Sequence, residues 1–203
     1  AIRDGCKLIM LGDMGQLESI GALNLAYDIY NSETVPTVEL KEVHRQAAQS
    51  GIITTAHTVR NQIQLFEENN YEGTQVLGEL KDMILDVQID KDKIRETAIN
   101  YFKEFYESEL VEKDIMKIQL ISPVKERGDS CVFNLNADVQ SIINPISESK
   151  KNIKIKLSKD KNFYIQEGDK VMCIKNNYRT NDLRGGNCPI FNGWVGIVTN
   201  ILD

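Results

Sequence analysis

Two polar side chains lying just beyond apolar runs have the chemistry to meet a phosphate. Leu8-Ile9-Met10-Leu11 stops at Gly12-Asp13, and Gln16 follows three residues later. Such a run reads as a short inner strand of a parallel sheet ended by a tight turn. Ligands of open α/β sheets sit beyond the carboxyl ends of the strands, so Asp13 and Gln16 stand where a nucleotide phosphate or its metal would be met. Gly and Asp also dominate ordinary turns, so the stretch alone equally describes a plain loop. Arg45 lies after a second expected strand, Thr34 to Leu40. Its planar fork of donors can hold phosphate oxygens in a way a Lys cannot copy. The competing reading pairs it with Glu42 on the surface. His44 has no carboxylate or nucleophile placed beside it and reads as a packing or surface residue.

A third group lies in Val124-Lys125-Glu126-Arg127-Gly128-Asp129-Ser130, between an expected strand at Lys117 to Ser122 and an expected helix ending at Asn144. A basic loop feeding a helix amino terminus is a ready anion site, because unpaired N–H groups and the helix dipole point at it. The alternative is a helix cap at Asp129 or Ser130 with solvated basic neighbours. Asn136 and Gln140 share a helix face and read as a polar stripe.

Helices are expected over Gly21 to Tyr30, over Gly51 to Gln62 with Ser50 as N-cap, and over Lys91 to Glu109. The last carries Ile94, Ala98, Tyr101, Phe102, Phe105 and Leu110 on its apolar face. Met83 to Ile89 alternates as a strand. From Lys150 the texture changes: Ile153, Ile155 and Leu157 alternate with lysines as an edge strand with one charged face. Gly168 to Tyr178 and Trp194 to Leu202 follow as strands, and Asn192-Gly193 is a strong hairpin turn. Short strands joined by Gly/Asn turns suggest a small β-barrel. Tyr178 and Trp194 are then either base-stacking residues or, for Trp194, the barrel's core.

The chain has 203 residues and a net charge of -6. Residues 1–144 hold 14 Lys and Arg against 24 Asp and Glu, whereas residues 145–203 hold 10 against 6. A polyanion is expected to avoid the acidic middle and approach the carboxyl-terminal part. No apolar run reaches the roughly 20 residues of a membrane-spanning helix, and a cytoplasmic protein is expected. Cys6, Cys131, Cys173 and Cys188 are far apart and form no C-x-x-C pair, which favours reduced thiols over a metal site. The first strand has no partner strand before it, so the chain is expected to be a piece of a longer protein.

The order G-D-x-x-Q-L, a helix, then L-x-x-V-x-R-Q-A-x-x-S-x-I-x-x-x-A-H resembles motifs III and IV of superfamily-one DNA helicases of the RecD/TraA type, the exodeoxyribonuclease V alpha-chain family. P-x-x-x-x-G-x-S-x-x-x-x-L-N-x-x-x-Q-x-x-x-N-P and G-D-K-V-M, N-N-Y, F-N-G-x-x-G-x-V are similar to later blocks of that family. The resemblance implies an α/β fold: a partial RecA-like, P-loop NTPase-type helicase lobe with a small SH3-like β-barrel insertion. Residues 1–34 would end the first lobe, residues 35–149 form part of the second, and residues 150–203 begin the insertion. It further implies that Gln16 senses the γ-phosphate and orients the attacking water, that Arg45 acts as an arginine finger, and that Asp13 lies at the ATP and Mg site. Lys125, Arg127 and Ser130 would contact the DNA backbone, and Tyr178 and Trp194 single-stranded DNA.

The implied activity is ATP-dependent 5′–3′ DNA unwinding in recombination and repair. Whether other subunits of a nuclease complex take part is left open. No G-x-x-x-x-G-K-[ST] occurs and no D-E pair follows an apolar strand, so these residues alone are expected to be inactive. The alternative is a non-enzymatic nucleic-acid-binding or scaffolding protein without a motor. Exposed strand edges would favour a dimer.

Overall fold

A computed structural model describes residues 3–13, 24–40, 48–66, 71–156, 162–182 and 184–202. These fall into two compact units, residues 1–89 and 90–203.

In the first unit, Asn24 caps helix α1 (Leu25–Asn31), and Ser50 caps helix α2 (Gly51–Arg60) by accepting from the Ile53 N–H. Strands β1 (Gly73–Leu77) and β2 (Met83–Val87) form an antiparallel hairpin in which Val76 faces Ile84. Asp82, in the hairpin turn, accepts from the Ser50 hydroxyl at 2.6 Å and the Gly51 N–H at 2.7 Å, docking the turn on the amino end of α2. The carboxylate there complements the positive end of the helix. Two glycines make this approach possible. A Cβ on Gly78, whose φ is +82°, would lie 2.1 Å from the Gly51 nitrogen, and one on Gly51 would lie 2.3 Å from the Leu77 carbonyl oxygen.

The strands expected at 8–11 and 34–40 are not formed: both stretches are irregular chain without ladder partners, and Leu11 is 95% exposed. A parallel strand is stable only between neighbours that pair its backbone and cover its faces. None stands beside it among the described residues.

The second unit holds the buried apolar side chains of the described residues: Ile99, Phe102, Val111, Cys131, Leu135 and Ile201. Helix α3 (Lys91–Glu107) starts at Asp90, whose carboxylate accepts from the Asp92 N–H. Its buried residues are Ile99 and Phe102, so the inward face is rotated from the expected stripe, and Leu110, beyond the helix end, is 81% exposed. The expected strand over 117–122 is instead a 3₁₀ turn (Ile115–Lys117) followed by irregular chain. Lys170 explains part of this, donating to the carbonyls of Ile115 at 2.9 Å and Ile118 at 2.8 Å. Those acceptors are taken by an ammonium group and not by a neighbouring strand. Burial pushes the Lys170 pKa down, with Asp114 opposing the shift.

Helix α4 (Val132–Ile143) is followed by two antiparallel pairs. These are β3 (Asn152–Lys156) with β4 (Asn162–Gln166), and β5 (Lys170–Met172) with β6 (Val195–Ile197). The strands expected over 168–178 and 194–202 are therefore much shorter. Among the described residues the sheets are small and none closes into a barrel. The observed architecture is one of mixed helices and two-stranded antiparallel sheets.

Candidate nucleic-acid interface

The loop before α4 is held by its own backbone. The Val132 N–H donates to the Val124 carbonyl at 2.9 Å, and the Phe133 N–H to the Lys125 carbonyl at 3.2 Å. The first two helix donors, expected to await an anion, are thus spent on the loop. The N-cap position falls on Cys131, which makes no side-chain cap bond, and not on Asp129 or Ser130. Asp129 instead receives Arg95 Nη1 at 2.8 Å, while Asn134 donates to its carbonyl at 2.9 Å. Ser122 donates to the Ser130 carbonyl at 2.8 Å. With both ends of the loop pinned, the side chains of Lys125 and Arg127 are left exposed to solvent.

Arg95 also grips Asp138 through Nε at 2.6 Å and Nη2 at 2.7 Å, tying α3 to α4. Both carboxylates hold the guanidinium protonated, raising its pKa, Asp138 more strongly than Asp129. Sequence alone did not single out this clasp, whose partners lie 34 and 43 residues away.

Sequence reasoning also missed a polar joint at the far end of α4. Gln140 and Asn144, one helical turn apart, donate to the two carboxylate oxygens of Asp169, each at 2.6 Å. Asp169 Oδ2 accepts the Gln166 N–H as well, at 2.9 Å. The fully buried Gln166 amide donates to the carbonyls of Asn144 at 2.7 Å and Pro145 at 2.9 Å. Lys150 donates to Asn144 Oδ1. Gln140, read as part of a polar stripe, is a member of the joint. Its available signal was the Q-x-x-x-N-P spacing, which sets two amides on one face just before the chain turns away.

The aromatic residues sit on an irregular extension of the β5–β6 pair. The Cys173 N–H donates to the Trp194 carbonyl and the Cys173 carbonyl accepts from the Gly193 N–H, each at 2.8 Å, and Asn177 pairs with Ile190. That register sets Tyr178 beside Phe191, with ring centroids 6.1 Å apart and edge-to-face at 81°. Phe191 meets Trp194 in the same way, at 5.3 Å and 69°. Tyr178 is 62% and Trp194 52% exposed, so Trp194 is a surface residue and not the core of a barrel. Phe191, between them, is the member that sequence reasoning passed over. Planar rings held open to solvent in this way offer faces on which nucleobases can stack.

On the nucleotide side, Gln16 and Arg45 lie outside the described residues. Asp13 is described and faces Arg60 of α2 at 3.4 Å, an exposed ion pair. No helix among the described residues is long and apolar enough to cross a membrane.

Compared with known families, residues 1–74 match the family model described as an AAA domain. No solved structure matches the chain. The matched stretch contains both the G-D-x-x-Q-L and the R-Q-A segments, and the amino-terminal part of the chain is therefore similar to an AAA domain.

Proposed function

We propose that this chain belongs to an ATP-dependent 5′–3′ DNA helicase of the RecD/TraA type, acting in recombination and repair. The observation that carries this reading is that a match to an AAA domain spans Asp13, Gln16 and Arg45, the residues to which the motifs give nucleotide roles. In this reading Gln16 orients the water that attacks the γ-phosphate, and Arg45 stabilises the charge that develops there. Phosphoryl transfer needs little more from a protein than such positioning and charge, and an arginine finger contributes on the order of 10³-fold or more in rate. ATP and Mg would be the cofactors of the complete site. Residues 1–34 and 35–149 would contribute to two RecA-like lobes, with the SH3-like insertion beginning at 150.

Single-stranded DNA is the partner in this reading, met at Lys125, Arg127 and Ser130 and stacked on Tyr178 and Trp194. The exposed basic loop and the open aromatic rings support it. The test has two arms. In the active helicase, Gln16→Ala and Arg45→Ala are each expected to abolish most ATP turnover while leaving DNA affinity nearly unchanged. In the 203-residue chain, an oligothymidylate is expected to quench Trp194 fluorescence. ATP turnover that survives both substitutions would overturn the nucleotide assignment, and unquenched Trp194 would overturn the stacking surface.

A further inference from the structure

Lys154 and Lys156 lie outside the loop and the aromatic surface described above. The β3–β4 register pairs Lys154 with Tyr164 and Lys156 with Asn162, which sets these four side chains on one face of the ribbon. Ile153, Ile155, Phe163 and Ile165 occupy the other. That second face is anchored, since the Phe163 ring meets Phe133 of α4 edge-on at 6.2 Å, and Gln140 donates to the Tyr164 carbonyl at 2.8 Å. Asn152 and Gln166 share the Lys154 face; Gln166 is buried at its inner end, while Lys154, Lys156, Asn162 and Tyr164 are exposed to solvent.

We propose that this outward face is a second track for a single strand of nucleic acid, with Lys154 and Lys156 on successive phosphates and Tyr164 against a base. The proposal rests on the nucleic-acid half of the reading above and extends it to residues that the family motifs do not include. Charge complementarity selects the occupant. Residues 150–161 contain six lysines and one acid, Asp160, and neither β3 nor β4 contains an Asp or Glu. Surfaces that serve solubility alone mix the two signs, and one lysine is enough to discourage edge pairing.

Spacing supports the same occupant. Alternate residues of a strand stand about 6.7 Å apart, close to the separation of successive phosphates on an extended strand. Lys154 Nζ also lies over the Tyr164 ring, 6.0 Å from its centroid, which fixes a cation beside an exposed aromatic ring. Backbone charge next to a ring is the pairing that sequence-tolerant single-strand binding uses. The ribbon's opposite face is held near the basic loop, since Phe133 carries the ring against Phe163 and the N–H on the Lys125 carbonyl.

Fluorescence anisotropy with a short labelled oligothymidylate tests this on the full chain. Lys154→Ala/Lys156→Ala is expected to weaken binding roughly 20-fold at about 0.1 M salt and to make the log-affinity against log-salt slope shallower by about 1.4, the value for two phosphate contacts. Lys154→Arg/Lys156→Arg should keep both affinity and slope. Tyr164→Leu should weaken binding without changing the slope. If the alanine pair leaves affinity and slope unchanged while Lys125→Ala/Arg127→Ala lowers them, the track is wrong and the underlying reading stands. If the unaltered chain does not bind the oligonucleotide, that reading falls and the track with it. Tighter binding of polyglutamate or of phosphatidylserine vesicles through the same two lysines would overturn the assignment in favour of an acidic protein or a membrane surface.

Discussion

Arg95 and Asp138 are joined by two parallel hydrogen bonds of 2.6 and 2.7 Å, and the third arm of the same guanidinium reaches Asp129. One side chain therefore sets the spacing of two helices and the end of the loop that displays Lys125 and Arg127. Arg95→Ala should cost about 1–2 kcal/mol, since both carboxylates lose a charged partner at a half-exposed site. Arg95→Lys should recover only part of this, because an ammonium cannot reproduce the fork. Urea unfolding midpoints of the three proteins check the order.

Gly78→Ala should be among the most damaging single-methyl additions in the first unit. The new Cβ meets the Gly51 backbone in a left-handed conformation, and a loss of about 2 kcal/mol or more is expected. Gly128→Ala is the control: its φ is +79° but nothing lies within 4 Å, so strain alone, about 1 kcal/mol, remains. Equal effects of the two on hydrogen-exchange protection or unfolding midpoint would contradict the close approach of Gly51 and Gly78.

Asp82 links the docking of the hairpin turn on α2 to pH. Its pKa is lowered, chiefly by the Ser50 hydroxyl, against a partial opposing effect of burial. The folded value lies below the unfolded one, so the contribution is complete above the ordinary carboxylate range and is lost as pH falls through the folded value. The Gly51 amide resonance should therefore titrate with a midpoint below 3.8, the ordinary value for Asp. Asp82→Asn should flatten that titration. A midpoint at or above the ordinary value would refute the coupling.

Gln166→Leu removes a buried amide that serves two carbonyls and accepts the Ser147 N–H at 3.3 Å. The orphaned carbonyls of Asn144 and Pro145 should make the loss about 2–3 kcal/mol. The same substitution should release the β3–β4 ribbon first, seen as faster amide exchange at Ile155 and Phe163 than at Ile99.

Phe191→Leu should leave Tyr178 and Trp194 in place on the chain but remove the ring that orients both. Stacking on aromatic side chains is worth about 1–3 kcal/mol per base, so oligonucleotide affinity should fall roughly fivefold or more. Quenching of Trp194 should weaken in parallel. Unchanged affinity would show that the two outer rings do not need the central one.

Helix positions were the most legible part of the sequence, because their signals are local. Ser50 caps where expected, Asn192-Gly193 turns where expected, and helices form over 51–60, 91–107 and 132–143, close to the expected positions. The strands were less legible. A run such as Leu8 to Leu11 carries the composition of an inner strand, but becoming one depends on neighbours, which composition does not encode. Lys170 shows the same limit from the other side, since its ammonium group takes carbonyls 52 and 55 residues earlier. Among the candidate site residues, Lys125, Arg127, Tyr178 and Trp194 were singled out by type, and the structure leaves their side chains exposed. Arg95, Phe191 and Gln166 were missed because their roles rest on partners distant in sequence.

The four thiols differ in a way that turns one of them into a timer. Cys131 is completely enclosed at the start of α4, whereas Cys6 and Cys188 face solvent. An alkylating reagent should label the outer pair at once and the half-buried Cys173 next, and then wait for Cys131 to be uncovered. Its labelling rate thus reads out how often the first turn of α4 parts from the loop of Lys125 and Arg127, with no probe added to the chain.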